Sequence, residues 1–506
     1  MTQLDTFRVP AAGAVLLAML ALATAAKADE TKASDKYPEE SWQVIYIDGQ
    51  RVGYGRVVVT HEKRGRTTIV KSDVEEHLTI RRFGQELKIT SKTHTKETPD
   101  GQLLSYRYEM LNPPRQSSKS TGRVEGRFLV IETTIGGRKS TRKIDWDPTV
   151  KSPLYQDRLL REPPLKPGDK RSFKAFMPEA ARVVEIKVEA LERRTVKLHD
   201  GSRQELLSVR ITQSLLPGIA TKAFLNKEGE ALRSETNLLG MQMVTYSVPQ
   251  EVALEEIKGA ELDVAVNSLI RVTNPPVDLH GRKSAVYRVT TPGRDPSQIL
   301  PTSETQTVKK INDESVEVTV TSLVPPRNIQ PARNEQQKYL ADTAFLQVTD
   351  RRVRDHARKA TAGSEDPGTI AVRMEKYVYR ELKKKNFSTA LASAAEVAKN
   401  MEGDCTEHAC LLAAMLRAGK IPSRVVVGLV YAERFGAFGG HMWTEAWLDG
   451  KWIPLDATLG RGGIGAGHLR LADTDLADEG PAPITAFVPL LNLMNGVEIE
   501  IVSTQR

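Results

Sequence analysis

The stretch Gly403-Asp404-Cys405-Thr406-Glu407-His408 decides the fold prediction because it combines a helix start with a thiol. Asp404 is a favourable N-cap residue, and Glu407 three positions later completes a capping-box pattern. Cys405 is therefore predicted at the first helical position. A thiol there feels the positive end of the helix dipole, which favours thiolate over thiol. This placement favours a reactive cysteine over a small buried core residue.

A hairpin is predicted downstream, around the turn Asp449-Gly450. Asp-Gly between two strand-like segments is a strong signal for a two-residue loop. Counting outward from this loop puts Trp443 opposite Asp456, with His441 two residues further along the same face. His441 and Asp456 are then diagonal cross-strand neighbours, with backbones about 7–8 Å apart and within reach of a side-chain hydrogen bond.

A thiol, an imidazole and a carboxylate in this order form the parts of a nucleophilic catalytic site. We predict Cys405 as the nucleophile, His441 as the base and Asp456 as the group that orients the imidazole. His408 lies one turn from Cys405 but has no predicted carboxylate partner. Glu445 shares the His441 face but is about 13 Å along the strand, which favours a structural or cleft role.

These residues resemble the transglutaminase-like superfamily. The resemblance rests on residues 403–408, residues 417–424, His441-Met442-Trp443 and Asp456-Ala457-Thr458. It covers about the last third of the chain, from near residue 339 to near residue 476. It implies an α+β fold with a papain-like core, Cys405 on a helix, and His441 and Asp456 on adjacent strands. The family commonly has Asp-Pro-Thr where this chain has Asp456-Ala457-Thr458, a departure that leaves the carboxylate in place.

The N-terminus is typical of a secretory signal. Arg8 precedes an alanine-rich apolar stretch over residues 11–26, and Ala26-Lys27-Ala28 is an A-x-A site. We expect cleavage before Asp29 and export to the periplasm or the extracellular space. An uncleaved anchor is the alternative, but the stretch is short for a membrane span. No other long apolar run follows, so no transmembrane segment is expected in the mature chain.

The two cysteines and the net charge further restrict the class of protein that the sequence can encode. Cys405 and Cys410 are the two cysteines, and on one helix their backbones are about 7.5 Å apart and diverge, too far for a disulfide. Cys410 is predicted to lie in the core. The formal net charge is +8, which is compatible with contact to an anionic envelope surface. No nucleic-acid motif, metal-ligand spacing or phosphate loop is recognisable, so we expect no nucleic-acid partner, no metal and no cofactor.

The remaining sequence is predicted to be β-rich. Alternating apolar and charged residues over 184–190 indicate a half-buried strand, and turn signals recur up to about residue 254. We predict a large, mostly antiparallel β region before the catalytic core. The predicted boundaries are a signal peptide 1–28, a spacer 29–40, an antiparallel sheet or open barrel 41–260, a small β domain 261–325, a linker 326–338 and a transglutaminase-like catalytic domain 339–506.

Two functions compete at this stage. The first is an exported thiol enzyme that attacks protein or peptide amides and forms a Cys405 thioester. A primary amine acceptor would then give cross-linking, whereas water would give amidase or protease activity, and the sequence leaves both open. The second is a non-catalytic binding or scaffold protein of the cell envelope that retains the fold. The long β region supports the second, and the intact Cys405, His441 and Asp456 support the first.

Overall fold

The computed structural model describes most of the chain after its N-terminal segment. The described residues are 39–112, 116–257, 262–273, 275–331, 336–361, 363–384, 386–387, 392–480 and 482–506. The predicted signal peptide, its cleavage site and nearly all of the spacer lie outside them. Within these ranges, no helix combines the length and apolar character needed to cross a membrane.

One antiparallel sheet of fourteen strands forms most of the N-terminal half of the described chain. Its strands are β1 (Glu39–Ile47), β2 (Gln50–Arg64), β3 (Thr67–Arg82), β4 (Gln85–Glu97), β5 (Leu103–Asn112), β6 (Gln116–Glu125), β7 (Phe128–Ile135), β8 (Arg138–Asp145), β9 (Lys170–Met177), β10 (Arg182–Lys197), β11 (Arg203–Gln213), β12 (Ala220–Leu225), β13 (Ala231–Leu238) and β14 (Met241–Val248). Pairing of β1 with β14 joins two meanders, β1 to β8 and β9 to β14.

The pattern of burial in this sheet follows the sequence alternation. In β10, Val184, Ile186 and Val188 are buried, while Glu185 and Lys187 between them are exposed. This is the half-buried strand that the sequence predicts. Three short helices belong to the N-terminal half, namely α1 (Tyr155–Arg161), α2 (Gln250–Ala253) and α3 (Val264–Asn267).

The rest of the described chain holds two further sheets and five helices. The strands are β15 (Ile270–Arg271), β16 (Ser284–Thr290), β17 (Gln306–Lys310), β18 (Ser315–Thr321), β19 (Ser423–Ala432), β20 (Ala437–Leu448), β21 (Lys451–Leu455), β22 (His468–Thr474) and β23 (Glu498–Gln505). The helices are α4 (Arg351–Thr361), α5 (Pro367–Glu381), α6 (Ala394–Asn400), α7 (Cys405–Ala418) and α8 (Val488–Met494).

Sheet pairing crosses two of the predicted domain boundaries. The four-stranded sheet has the order β17-β18-β16-β23, so the C-terminal strand completes the predicted small β domain. The five-stranded sheet has the order β15-β20-β19-β22, with β21 paired to β20. Strand β15 therefore lies in the same sheet as the predicted catalytic strands. The segments 261–325 and 339–506 are joined through both sheets.

The five-stranded sheet is the structural base of the predicted catalytic core. Nearly every residue of β19 and β20 is buried, because helix α7 packs against β20 and the other face is covered as well. Helices α4, α5 and α6 pack around α7. The described chain is thus mostly β, with a large antiparallel sheet followed by a C-terminal α+β unit.

Candidate active site

Helix α7 begins at Cys405, as the capping pattern predicts. Asp404 is the N-cap, and its Oδ1 accepts a hydrogen bond from Thr406 N at 2.8 Å. Glu407 Oε2 accepts from Asp404 N at 2.9 Å, which completes the capping box. Gly403 has φ +153°, and a Cβ there would lie 2.3 Å from the Glu407 side chain. Glycine is therefore required where the chain turns into the helix.

The hairpin also has the predicted register. Asp449 and Gly450 have φ of 52° and 73°, as a type I′ turn requires. The observed pairs are Leu448 with Lys451, Trp447 with Trp452, Ala446 with Ile453, Glu445 with Pro454 and Thr444 with Leu455. One further step along this register puts Trp443 opposite Asp456.

The predicted contact between His441 and Asp456 is present. His441 Nε2 lies 2.8 Å from Asp456 Oδ2, and the two side chains are 1% and 0% exposed. Burial opposes ionisation of Asp456, but the charges and hydrogen bonds of His441 and His468 outweigh it and hold the pKa of Asp456 well below its usual range. The carboxylate is thus a fixed negative partner for the His441 ring.

Strand β20, which carries His441, is bonded to the first turns of α7 through the residues that follow His441. The backbone N–H of Met442 donates to the Cys405 sulfur, and Thr444 Oγ1 donates to Ala409 O at 3.0 Å. These bonds align β20 with the first turns of α7. Because Nε2 of His441 is held by Asp456, Nδ1 is the remaining proton acceptor, and it is buried with no hydrogen-bond partner in the described part of the chain.

The thiol itself differs from the sequence-based expectation. Cys405 is fully buried, and burial raises the pKa of its thiol well above the ordinary value. The Asp404 carboxylate raises that pKa further, whereas the Met442 N–H and Arg82 lower it. The prediction that the helix start favours thiolate is therefore wrong for the closed site. Loss of hydration on burial is the largest cause of the raised pKa.

Two residues that contact Asp456 escape sequence reasoning. His468 Nε2 lies 3.0 Å from Asp456 Oδ2, so this carboxylate holds two imidazoles. Glu375 on α5 is fully buried, and its Oε1 accepts from Asp456 N at 3.1 Å and from Gly463 N at 3.3 Å. Burial raises the pKa of Glu375 to about 8. His468 begins the strand after Asp456, and only that position at a strand start could have drawn attention to it.

The rival residues have structural partners. His408 Nδ1 is 2.6 Å from Asp404 O, within its own helix. Glu445 is bonded to Arg424 at 2.7 Å and to Arg470 at 3.3 Å. The Trp443 ring is buried and lies 6.2 Å, centroid to centroid, from the ring of His441.

Cys410 lies inside the core as predicted. It is fully buried, and burial raises the pKa of its thiol. Cys405 and Cys410 are both free cysteines. Their difference in position, one at the helix start and one inside the helix, provides a matched pair for experiments on the thiol.

One group of side chains has the chemistry of a metal site. The ligand atoms of His441, Asp456 and His468 all lie within 4.8 Å of one another. Both Nε2 atoms, however, point to the same Asp456 oxygen at hydrogen-bond distance. A metal would need those Nε2 lone pairs, so the arrangement fits a hydrogen-bonded carboxylate better than a coordination site.

Comparison with known families agrees with the geometry of the site. Residues 354–457 match the Transglutaminase-like superfamily. This segment contains Cys405, His441 and Asp456, and the resemblance stated from the sequence motifs is confirmed for it. Residues 354–457 are thus similar to a transglutaminase-like domain. Among curated proteins, no match to the chain is found.

Solved structures give distant likenesses. A protein described as a candidate cysteine protease from Cytophaga hutchinsonii is 15% identical, with a TM-score of 0.30, over 43% of this chain and 83% of its own. A β-barrel-like protein of a domain of unknown function from Brucella abortus is 14% identical, with a TM-score of 0.30, over 41% of this chain and 94% of its own. A candidate protease from Parabacteroides distasonis is 11% identical, with a TM-score of 0.19, over 70% of this chain and 64% of its own.

Proposed function

We propose that this chain is an exported thiol enzyme of the transglutaminase-like type that acts on amide groups of proteins or peptides. One observation carries the proposal. The His441 imidazole is held through Nε2 by Asp456, while the next residue, Met442, donates its N–H to the Cys405 sulfur. A nucleophile beside a base that a third group orients is the arrangement that thiol catalysis requires.

The proposed reaction has two stages. His441 Nδ1 takes the proton of Cys405, and the sulfur attacks the amide carbonyl carbon. His441 then gives this proton to the leaving nitrogen, so that the C–N bond breaks, an amine departs and a thioester remains. In the second stage a primary amine gives a new amide, or water gives an acid, and the thiol is restored. The Cys405 backbone N–H, at the start of α7, is a candidate donor to the oxyanion.

Burial of the site bears on how substrate enters. Cys405, His441 and Asp456 are at most 1% exposed, so the closed form described above must open before an amide reaches the sulfur. The location outside the cytoplasm is proposed from the signal-like residues 1–28 alone.

A second function follows from the same burial. A site that is sealed and whose thiol has a raised pKa also suits a binding or scaffold protein that keeps the fold without turnover. The two functions differ in one respect that can be tested, because only the enzyme needs Cys405 for its effect on an amide.

The test is incubation of the purified chain with a glutamine-containing peptide and a labelled primary amine. Mass spectrometry distinguishes amine addition, deamidation and chain cleavage of the peptide. We expect at least one of these products from the wild-type chain and none from Cys405→Ala.

The matched control is Cys410→Ala, which removes the other thiol from the same helix and should retain the product. Equal product from wild type and Cys405→Ala would contradict the thiol mechanism. Absence of product from the wild type over a panel of peptides, with the chain folded, would favour the scaffold function.

A further inference from the structure

A buried ion pair joins the large β sheet to the start of the nucleophile helix. Arg82 is the last residue of β3, and its Nη2 donates to Asp404 Oδ2 at 2.7 Å. The two side chains are 3% and 0% exposed. Desolvation of such a pair is costly, and loss of one partner leaves an uncompensated buried charge. Arg82 and Asp404 therefore depend on each other, although 322 residues separate them.

The two oxygens of Asp404 make different contacts. Oδ1 accepts from the backbone N and the side-chain Oγ1 of Thr406, each at 2.8 Å, which caps α7. Oδ2 accepts from Arg82. The negative charge that immediately precedes Cys405 is thus shared between a helix cap and a guanidinium from another part of the chain.

The hairpin between β3 and β4 holds Arg82 in place. Its turn residues Phe83 and Gly84 have φ of 48° and 78°, as a type I′ turn requires. The ring of Phe83 lies 5.0 Å from that of Phe387. Gln85 Oε1 accepts from Phe387 N at 2.8 Å, and Arg82 Nη1 donates to Phe387 O at 3.4 Å. Both sides of the turn are therefore attached to the segment that precedes α7.

Several groups on the packed elements affect ionisation of the thiol. Asp404 at the N-cap and Glu407 raise the pKa of the thiol, whereas Arg82 from β3 and the Met442 N–H lower it. The other titratable groups on these elements are His408 and Cys410 from α7, and His441, Asp456 and His468 from the C-terminal sheet and its hairpin. Burial opposes ionisation of Asp404, but Arg82 and the capping hydrogen bonds outweigh it and lower the pKa of Asp404. Asp404 is consequently charged, and this charge raises the pKa of the Cys405 thiol unless a cation balances it.

We propose that Arg82 is a positioning residue of the thiol site, supplied by the β region, which balances the charge of Asp404 and so limits how far that carboxylate opposes ionisation of Cys405. The proposal rests on the proposed function in one respect. Ionisation of Cys405 matters for catalysis because Cys405 is the proposed nucleophile. It extends the reactive unit beyond residues 354–457 to the hairpin of the large sheet. The β region is then part of the site and not solely a binding module.

The test is the pH dependence of Cys405 alkylation by iodoacetamide in the full chain, with the modified peptide read by mass spectrometry. Arg82→Gln should move the inflection upward by about one pH unit, which lowers the rate roughly tenfold at pH values below it. Arg82→Lys keeps the charge but loses the planar fork, so its inflection should lie between those of the wild type and Arg82→Gln.

Arg138→Gln is the matched control. Arg138 also extends from the large sheet to a carboxylate of the C-terminal half, with Nη1 at 2.5 Å from Asp342 Oδ2, but it does not contact Asp404. Its alkylation inflection should equal that of the wild type. An unchanged inflection in Arg82→Gln overturns the proposal. A faster reaction at an unchanged inflection also overturns it, because Arg82 would then merely cover the thiol.

A second variant separates the electrostatic role from loss of folding. Asp404→Asn retains a capping oxygen and removes the negative charge, so it should move the inflection downward, opposite to Arg82→Gln. An unchanged or raised inflection in Asp404→Asn would show that the Asp404 charge does not oppose ionisation of the thiol, and the proposal would fail. If the wild type forms no product from amides but Arg82→Gln still moves the alkylation inflection, the proposed function fails and the role of Arg82 stands.

Discussion

The large antiparallel sheet and the five-stranded sheet differ in how far the side chains of their ion pairs are exposed. In the large sheet, ion pairs such as Lys71–Glu62 and Lys92–Glu75 cross between neighbouring strands, with every partner about a third exposed. In the five-stranded sheet, Glu445 and its partner Arg470 are 3% and 8% exposed. Exposed pairs contribute little and tolerate change, whereas buried charges need defined partners.

This difference indicates which charged side chains depend on a defined partner. The buried polar residues of the C-terminal sheet meet around Asp456, which faces two imidazoles and the turn that Glu375 supports. Arg82 is a residue of the large sheet that has a buried ion pair with the C-terminal half, through Asp404. Substitutions in the two regions should therefore have effects of very different size, which the following predictions test.

The largest effect is expected at Asp456. Asp456→Asn should lower turnover in the amide assay about 10³-fold, because the neutral amide no longer fixes the tautomer of His441 or stabilises its protonated form. The matched control is Asp473→Asn on β22, where the carboxylate is 29% exposed and pairs with Arg424. That variant should lose less than about threefold. Equal losses in the two variants would remove the distinction between the Asp456 network and ordinary ion pairs.

A smaller effect is expected at His468. His468→Gln should lower kcat about tenfold, since it removes the second hydrogen bond that holds Asp456. KM should change little, because His468 is fully buried behind the pair. His356→Gln serves as the control, as His356 bonds to Tyr377 and to a backbone carbonyl on other helices. A loss confined to KM would contradict the orienting role.

The buried carboxyl groups Glu375 and Glu76 give a comparison of stability between the two regions. Burial raises the pKa of each to about 8 from an ordinary value of 4.5. The folded state therefore binds more protons than the unfolded state, and each group costs stability as pH rises from about 4.5 toward 8. Glu375→Gln should remove about 3–4 kcal/mol of the fall in unfolding free energy between pH 5 and pH 8.

The measurement is urea unfolding at several pH values, with Glu76→Gln as the counterpart in the large sheet. Glu76 Oε2 accepts from Ser91 Oγ at 3.0 Å, so its amide variant keeps an acceptor there. Both variants should show a flatter pH dependence than the wild type. A steeper dependence would mean that the carboxyl groups are ionised in the fold.

The smallest effect is expected for exposed ion pairs. Arg288 and Glu500 link β16 to β23 at 2.6 Å, with side chains 49% and 58% exposed. Arg288→Ala should change the free energy of unfolding by less than about 0.5 kcal/mol. Arg424→Ala, which leaves the buried Glu445 short of a partner, should cost about 3 kcal/mol. Similar costs for the two variants would contradict the distinction between exposed and buried ion pairs.

Features that depend on residues close together in the sequence could be predicted from it. Capping chemistry places Cys405 at the helix start, and one Asp-Gly turn sets the register that brings His441 to Asp456. The strand around residues 184–190 follows from alternation alone. Each of these features depends on residues within about fifteen positions of one another, and their physical causes are visible in the sequence.

Contacts between residues that are far apart in the sequence account for what could not be predicted from it. Strands β22 and β20 pair with opposite edges of β19. This pairing brings His468 of β22 to Asp456, the partner of His441 on β20. Arg82 reaches Asp404 through a sheet whose strands give no sign of a partner 322 residues away. Burial of the thiol likewise depends on the whole packed core, so the raised pKa of Cys405 could not be inferred from the helix start.

The central claim is that Cys405 carries the acyl group while His441 and Asp456 operate beside it. Its most direct test is peptide mapping of the chain after acid quenching of a reaction with an amide substrate. The account predicts a substrate-derived acyl mass on the peptide that contains Cys405, sensitive to hydroxylamine as a thioester is, and diminished in His441→Ala. Product formation with no adduct on Cys405, or an adduct on Cys410 instead, would contradict it.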